Sequence, residues 1–234
     1  VNGVDLRPTR SDPHAGAPIL RAGPPPGEAS VGVVLVHGRG DSAQGILGLV
    51  EALRERGAPD VTYLAPDATD NVWYPQRFME SAERNQPHLG SALAVLDRTV
   101  ATLEAAGLPR ERIVIAGFSQ GACLALEWVA RTGGAFGGVV ALSGGLIGSD
   151  VDPATYPRRL DGTVAFLGCS DVDGHIPETR VHASARQVEA QGADVITRIY
   201  PGMPHTVNDD ELRWFADHLR SLHRSEPRSE HHAG

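Results

Sequence analysis

Ile113-Val114-Ile115-Ala116-Gly117-Phe118-Ser119-Gln120-Gly121 is the stretch whose reading decides how the rest of the chain is understood. It opens on a short, continuous apolar run at 113–116, the pattern of a strand buried on both faces of a parallel sheet. Ala122-Cys123-Leu124-Ala125-Leu126 follows and reads as helix. Between them stands G-x-S-x-G, which in a strand-to-helix setting is a nucleophile elbow. The glycines answer to crowding. In so sharp a turn, side chains two before and two after the serine collide, and the strained backbone lifts the serine oxygen above the sheet. The helix that starts there aims its free amides at charge developing on a bound carbonyl. The plainer alternative is a Gly-rich turn with an ordinary N-cap serine. The flanking strand and helix favour the elbow.

On either side of this stretch, apolar strands alternate with amphipathic helices. Strands are expected at 19–22, 31–36, 61–65, 138–142, 163–167 and 195–200. Helices are expected at 45–56, 91–106, 178–191 and 207–222, the last with Leu212, Phe215 and Leu219 facing in. Residues 67–90 form a long, loop-rich segment carrying Trp73, Tyr74 and Phe78. The alternation predicts an α/β fold: a mostly parallel central sheet of about seven strands, with helices on both faces. The segment at 143–162 is short, polar and Pro-containing, too small for a large cap domain. One domain is expected over 19–222, preceded by a loosely held arm at 1–18 and followed by a flexible polar tail at 223–234.

Composition narrows the function. A net charge of −8 and scattered basic residues argue against nucleic-acid binding. All 21 basic residues are arginine. The lack of lysine excludes serine–lysine catalysis, Schiff-base chemistry and a Walker P-loop. The two cysteines, Cys123 and Cys169, lie in apolar surroundings and read as buried free thiols. No run reaches membrane-spanning length, and residues 1–18 lack a basic-then-apolar leader pattern. A cytoplasmic setting is the expectation. The histidines outside the loops below form no ligand-spaced cluster, so no metal is expected.

In open parallel sheets, ligands bind beyond the carboxyl ends of the strands. Four loops there carry chemistry-bearing residues: His37-Gly38-Arg39-Gly40-Asp41, the elbow with Ser119, Asp171-Val172-Asp173-Gly174-His175-Ile176-Pro177, and Gly202-Met203-Pro204-His205. Nucleophile, acid and histidine thus follow in the order Ser, Asp, His. Asp171 and Asp173 compete for the acid, and one of them is then a loop brace. His37 suits a structural hydrogen-bonding role better than that of a base. His175 is placed on the pocket wall or toward solvent, and the Arg39 side chain toward solvent. Trp73, Tyr74 and Phe78, with Leu146, Ile147 and Met203 opposite, are the candidate substrate-pocket residues.

These pieces, with Ala65-Pro66-Asp67 and Leu142-Ser143-Gly144, resemble the phospholipase/carboxylesterase branch of the α/β-hydrolases, which includes acyl-protein thioesterases. The resemblance spans roughly 31–215. It implies a serine hydrolase cleaving carboxylic esters, or thioesters, through an acyl-enzyme intermediate; the small 143–162 segment adds the expectation of short to medium acyl chains. It places the catalytic acid four residues before Pro177, at Asp173, with Ser119 as nucleophile and His205 as base. It also assigns the oxyanion hole to the backbone N–H groups of Arg39 and Gln120. The chain departs from the family in having Gly174 where a proline often follows the aspartate. A small-molecule ester is the expected partner, with no cofactor, no nucleic acid and no membrane span; a homodimer is compatible. Two alternatives stand beside this reading: a dienelactone-hydrolase-like activity, which normally uses cysteine at the elbow, and a non-catalytic scaffold binding a ligand or partner.

Overall fold

The computed structural model describes residues 9–224. Strands β1 (Ile19–Ala22), β2 (Gly32–Val36), β3 (Thr62–Pro66), β4 (Ile113–Phe118), β5 (Gly138–Leu142), β6 (Val164–Ser170) and β7 (Asp194–Tyr200) form one sheet in the order β1-β3-β2-β4-β5-β6-β7. Only β1 runs antiparallel, pairing Ile19 with Pro66 and Ala22 with Tyr63. The others are parallel, from Gly32 beside Ile113 to Val164 beside Asp194. Helices α1 (Ala43–Ile46), α2 (Gly48–Glu55), α3 (His88–Ala105), α4 (Gln120–Thr132), α5 (Glu178–Ala190) and α6 (Asp209–Arg224) cover both faces.

The alternating faces of each strand divide the interior into two cores. Ile113 and Ile115 of β4 join Val34 and Val36 of β2 against α3, α4 and α5. Val114 and Ala116 join Val33 and Leu35 against α2 and α6, where Leu212, Phe215 and Leu219 face in as expected. From β2 the chain leaves toward β3, and from β4 toward β5. The carboxyl ends of β2 and β4 therefore flank a switch point, where the loops diverge and leave a crevice.

Several boundaries differ from those read in the sequence. The helix expected at 45–56 is two pieces: Gly45 and Gly48 weaken it around Leu47, and Ser42 caps α1 by accepting from the Gly45 N–H at 3.1 Å. Gly57, at φ +81°, terminates α2 in the left-handed conformation. Helix α3 starts three residues earlier than expected, at His88, and β6 runs three residues further, to Ser170. The loop bearing the candidate acid is thereby shortened.

The arm at 9–18 is packed, not loose. His14 is fully buried and bonds the Trp73 carbonyl at 2.9 Å through Nε2, while its Nδ1 accepts from the Thr69 N–H at 3.2 Å. Thr69 Oγ1 donates to the Pro13 carbonyl, and the His14 N–H donates to Ser91 Oγ. The arm thus braces the loop after β3 from beneath. Residues 1–8 and 225–234, part of the expected arm and tail, lie outside the described residues.

At the start of α6, Asn208 and Glu211 form a reciprocal cap: Asn208 Oδ1 accepts from the Glu211 N–H at 3.0 Å, and Glu211 Oε2 from the Asn208 N–H at 2.9 Å. Glu211 is fully buried, and its Oε1 has no partner among the described residues. Burial, aided by the charge of Asp210 and opposed by the Asn208 N–H, pushes its carboxyl up to about 7. The fold therefore favours protonated Glu211. Its contribution is full below the unfolded value near 4.5 and is lost as pH rises through about 7, a loss of about 3 kcal/mol. Glu211→Gln keeps the cap without the charge. It is expected to raise the melting temperature by roughly 5–10 °C at pH 8, with the gap closing at pH 5. Equal gaps at both pH values would contradict this account.

Candidate active site

The elbow geometry bears out the crowding argument. Ser119 sits at φ +55°, ψ −119°, outside the regions L-residues normally occupy. A Cβ on Gly117 would lie 2.5 Å from the Gly121 carbonyl, and one on Gly121 would lie 2.1 Å from the Val36 oxygen at the end of β2. Glycine at both sites lets α4 start directly above the junction of β2 and β4.

His205, in the loop after β7, lies between the other two groups. Its Nδ1 is 2.6 Å from Asp173 Oδ2, and its Nε2 is 2.9 Å from Ser119 Oγ. With Nδ1–H donating to the carboxylate, Nε2 is left to accept the serine proton. The rings of Phe118 and His175 flank His205, with centroids 4.9 and 4.8 Å away. The Asp173 side chain is fully buried, whereas His205 is 21% exposed and open to a substrate.

Burial pushes the Asp173 carboxyl up, but hydrogen bonds outweigh it and leave it below the usual carboxylate value. The donors are the His205 ring and the backbone N–H groups of His175 at 2.8 Å and Ile176 at 3.0 Å, both to Oδ1. The Cys169 thiol also approaches Oδ2, at 3.7 Å. Asp171 has the other role: its Oδ1 accepts from the Gly202 N–H at 2.7 Å and ties the acid loop to the histidine loop. His37 is structural, as expected. It is fully buried, donates from Nδ1 to the Gly38 carbonyl at 2.8 Å, and accepts at Nε2 from the Ala68 N–H at 3.1 Å.

A cavity of about 470 Å³ opens beside Ser119 and His205. Tyr74 and Phe78 line it, as the sequence suggested; Trp73, Leu146, Ile147 and Met203 do not. Trp73 is fully buried beneath the site, donating from Nε1 to the His37 carbonyl at 2.9 Å and packing against the His37 ring. Leu146 and Ile147 turn into the core because Ser184 Oγ and Glu127 Oε2 hold their backbone N–H groups. Met203 is drawn away, its Sδ accepting from Asn208 Nδ2 at 3.0 Å. In their place stand Phe118, Cys123, Ile176 and His175, with Arg77 also on the wall. Burial pushes the Cys123 thiol up to about 12, which makes it an inert wall group. Both cysteines are free and buried.

Sequence reasoning missed the clamp that holds this wall. Gln120 Oε1 accepts from the Trp73 N–H at 3.0 Å, and its Nε2 donates to the Tyr74 carbonyl at 2.8 Å. Arg39 is exposed, as expected, but pinned: its Nη2 donates to the carbonyls of Tyr74 at 2.7 Å and Gln76 at 2.9 Å. Both clamp residues belong to the quoted motifs, which was the available signal. Among the described residues, the backbone N–H groups of Arg39 and Gln120 have no protein acceptor.

An activated serine, a histidine with an oriented tautomer and a buried carboxylate, set at the switch point of such a sheet, define the serine hydrolases of the α/β-hydrolase fold. Residues 23–223 match the model of the phospholipase/carboxylesterase family, and the chain belongs to that family. It is a serine hydrolase of carboxylic esters or thioesters. Acyl-protein thioesterase 1 of Gibberella zeae is 29% identical over 202 residues, covering 77% of this chain and 85% of that protein. A crystal structure of a phospholipase/carboxylesterase from Dyadobacter fermentans is 39% identical with a TM-score of 0.83, covering 88% of this chain and 97% of that one. The esterase PE8 structure is 25% identical with a TM-score of 0.69, covering 88% and 98%. Among the described residues, no helix is long and apolar enough to cross a membrane.

Proposed function

We propose that Ser119, Asp173 and His205 act as a catalytic triad on esters or thioesters of short to medium acyl chains. The continuous relay from Asp173 through His205 to Ser119, at 2.6 and 2.9 Å, carries this reading. Ser119 attacks the carbonyl carbon as its proton passes to His205 Nε2. The negative charge moves to the carbonyl oxygen, where the N–H groups of Arg39 and Gln120 receive it. The C–O or C–S bond breaks, and His205 gives its proton to the leaving alcohol or thiol. Water then attacks the acyl-enzyme by the same route and releases the acid and free Ser119. A cytoplasmic setting fits the two buried free thiols.

A fluorophosphonate probe tests the reading. It is expected to add covalently to Ser119, located by peptide mass spectrometry. A non-catalytic scaffold leaves that serine unlabelled.

Acyl length follows from the wall. Tyr74, Phe78, Phe118 and Ile176 provide apolar surface in a cavity near the lower end of the size range for ligand sites. The segment between β5 and β6 adds only a short 3₁₀ turn, Pro153–Thr155, held through Tyr156 Oη on the buried Glu127. Each methylene that finds wall adds about 0.8 kcal/mol, and those beyond it add nothing. Across p-nitrophenyl esters from acetate to palmitate, kcat/KM is expected to rise and then plateau at medium length. A monotonic rise to palmitate would refute this.

A further inference from the structure

The cavity carries a charge imbalance that ester hydrolysis alone does not require. Besides the histidines, its charged wall residues are Arg39, Asp41 and Arg77. The Asp41 carboxylate is folded against Gly45 in α1, close enough that a Cβ there would meet its Oδ1. Arg39 donates to two backbone carbonyls and has no carboxylate partner among the described residues. Arg77 is exposed on the wall, and no acceptor for its guanidinium stands among the described residues. Several arginines away from the cavity are paired with acids, among them Arg56 with Asp209, Arg131 with Glu127, Arg159 with Asp161 and Arg198 with Asp210. In a chain with a net charge of −8, two arginines without a carboxylate partner thus stand on the wall beside the serine.

We propose that this enzyme selects esters carrying an anionic group, such as a carboxylate, remote from the scissile bond, and that Arg77 reads that charge. The inference rests on the hydrolase reading above. A guanidinium with all its donors available pairs with a carboxylate in bidentate fashion. Arg39 is less free, because its Nη2 is already held by the Tyr74 and Gln76 carbonyls. Its charge adds to the local positive field, which a low-dielectric cleft focuses on an incoming anion. The recognised group can sit on the acyl side or on the alcohol side, and the chemistry is the same for both.

Two substrate pairs test the proposal. In the acyl arm, mono-4-nitrophenyl glutarate is compared with its neutral methyl diester counterpart, methyl 4-nitrophenyl glutarate. In the alcohol arm, 4-carboxyphenyl butyrate is compared with 4-acetylphenyl butyrate. The readout is the ratio of kcat/KM, anionic over neutral, in wild type, Arg77→Gln and Arg77→Glu. In at least one arm the wild-type ratio is expected to be tenfold or more and to fall as salt is raised. Arg77→Gln is expected to bring it near one, and Arg77→Glu to invert it. A wild-type ratio near one in both arms overturns the proposal, as does a preference that survives Arg77→Gln. Turnover of neutral esters with no charge preference leaves the hydrolase reading standing. Failure to hydrolyse any of the four esters overturns that reading instead.

Discussion

Ser119→Ala is expected to abolish ester hydrolysis while leaving the melting temperature close to that of the native protein. The loss in kcat should be on the order of 10⁵ to 10⁶, the scale seen when a serine hydrolase loses its nucleophile. The fold should survive because the elbow needs a small residue and alanine removes only the oxygen. The Ser119 backbone contacts remain: its N–H donates to the Leu142 carbonyl at 3.0 Å, and its carbonyl accepts from the Cys123 N–H at 3.0 Å. Among the described residues, the one side-chain bond lost is that to His205 Nε2. The check is steady-state hydrolysis of a p-nitrophenyl ester beside a thermal melt. Turnover near the native rate in a folded variant would remove Ser119 from the mechanism.

Asp173→Asn should cost about 10⁴-fold in kcat, and Asp171→Asn less than tenfold. The two substitutions are chemically identical, so the difference is one of position. At 173, Oδ1 accepts two backbone N–H bonds, from His175 and Ile176. An asparagine there must place its amide oxygen on those donors. Its NH₂ then occupies the Oδ2 position and points a donor at His205 Nδ1. The imidazole can answer only by moving its proton to Nε2, which can no longer take the proton of Ser119. At 171, the single bond from the Gly202 N–H needs an acceptor and no charge, and an amide oxygen supplies one. Parallel kcat/KM measurements on the two variants decide the assignment. The reverse ranking would transfer the acid to Asp171 and leave the observed relay without a role.

The parts of this molecule that were legible in the sequence are those encoded over a few consecutive residues. Strand β4 is a continuous apolar run because both its faces are covered, and such a run needs no partner to be recognised. The elbow is legible because Gly117 and Gly121 have backbone atoms where any side chain would stand. Ser119, His205 and a loop aspartate could be placed because each follows a strand, and parallel strands deliver their carboxyl ends to one edge of the sheet. Choosing Asp173 over Asp171 drew on the family spacing to Pro177; the chain alone left both open. The structure gives each aspartate its own bond.

What the sequence by itself determined is thus the order of strands and helices, the elbow with Ser119, and the loops that carry the candidate acid and histidine, because local backbone sterics and hydrophobic period dictate them. Tertiary structure alone decided the pocket. Trp73, Tyr74 and Phe78 lie close together in one irregular loop, where no period assigns a direction to a side chain. Tyr74 and Phe78 face the cavity and Trp73 faces away because distant groups hold that loop: Gln120 and Arg39 from above, His14 and His37 from below. Leu146 and Ile147 turned inward for the same reason, pulled by Ser184 and Glu127 from two other helices. A wall built from an irregular loop takes its orientation from bonds between residues far apart in the chain, and those partners meet only once the sheet has brought its loops together.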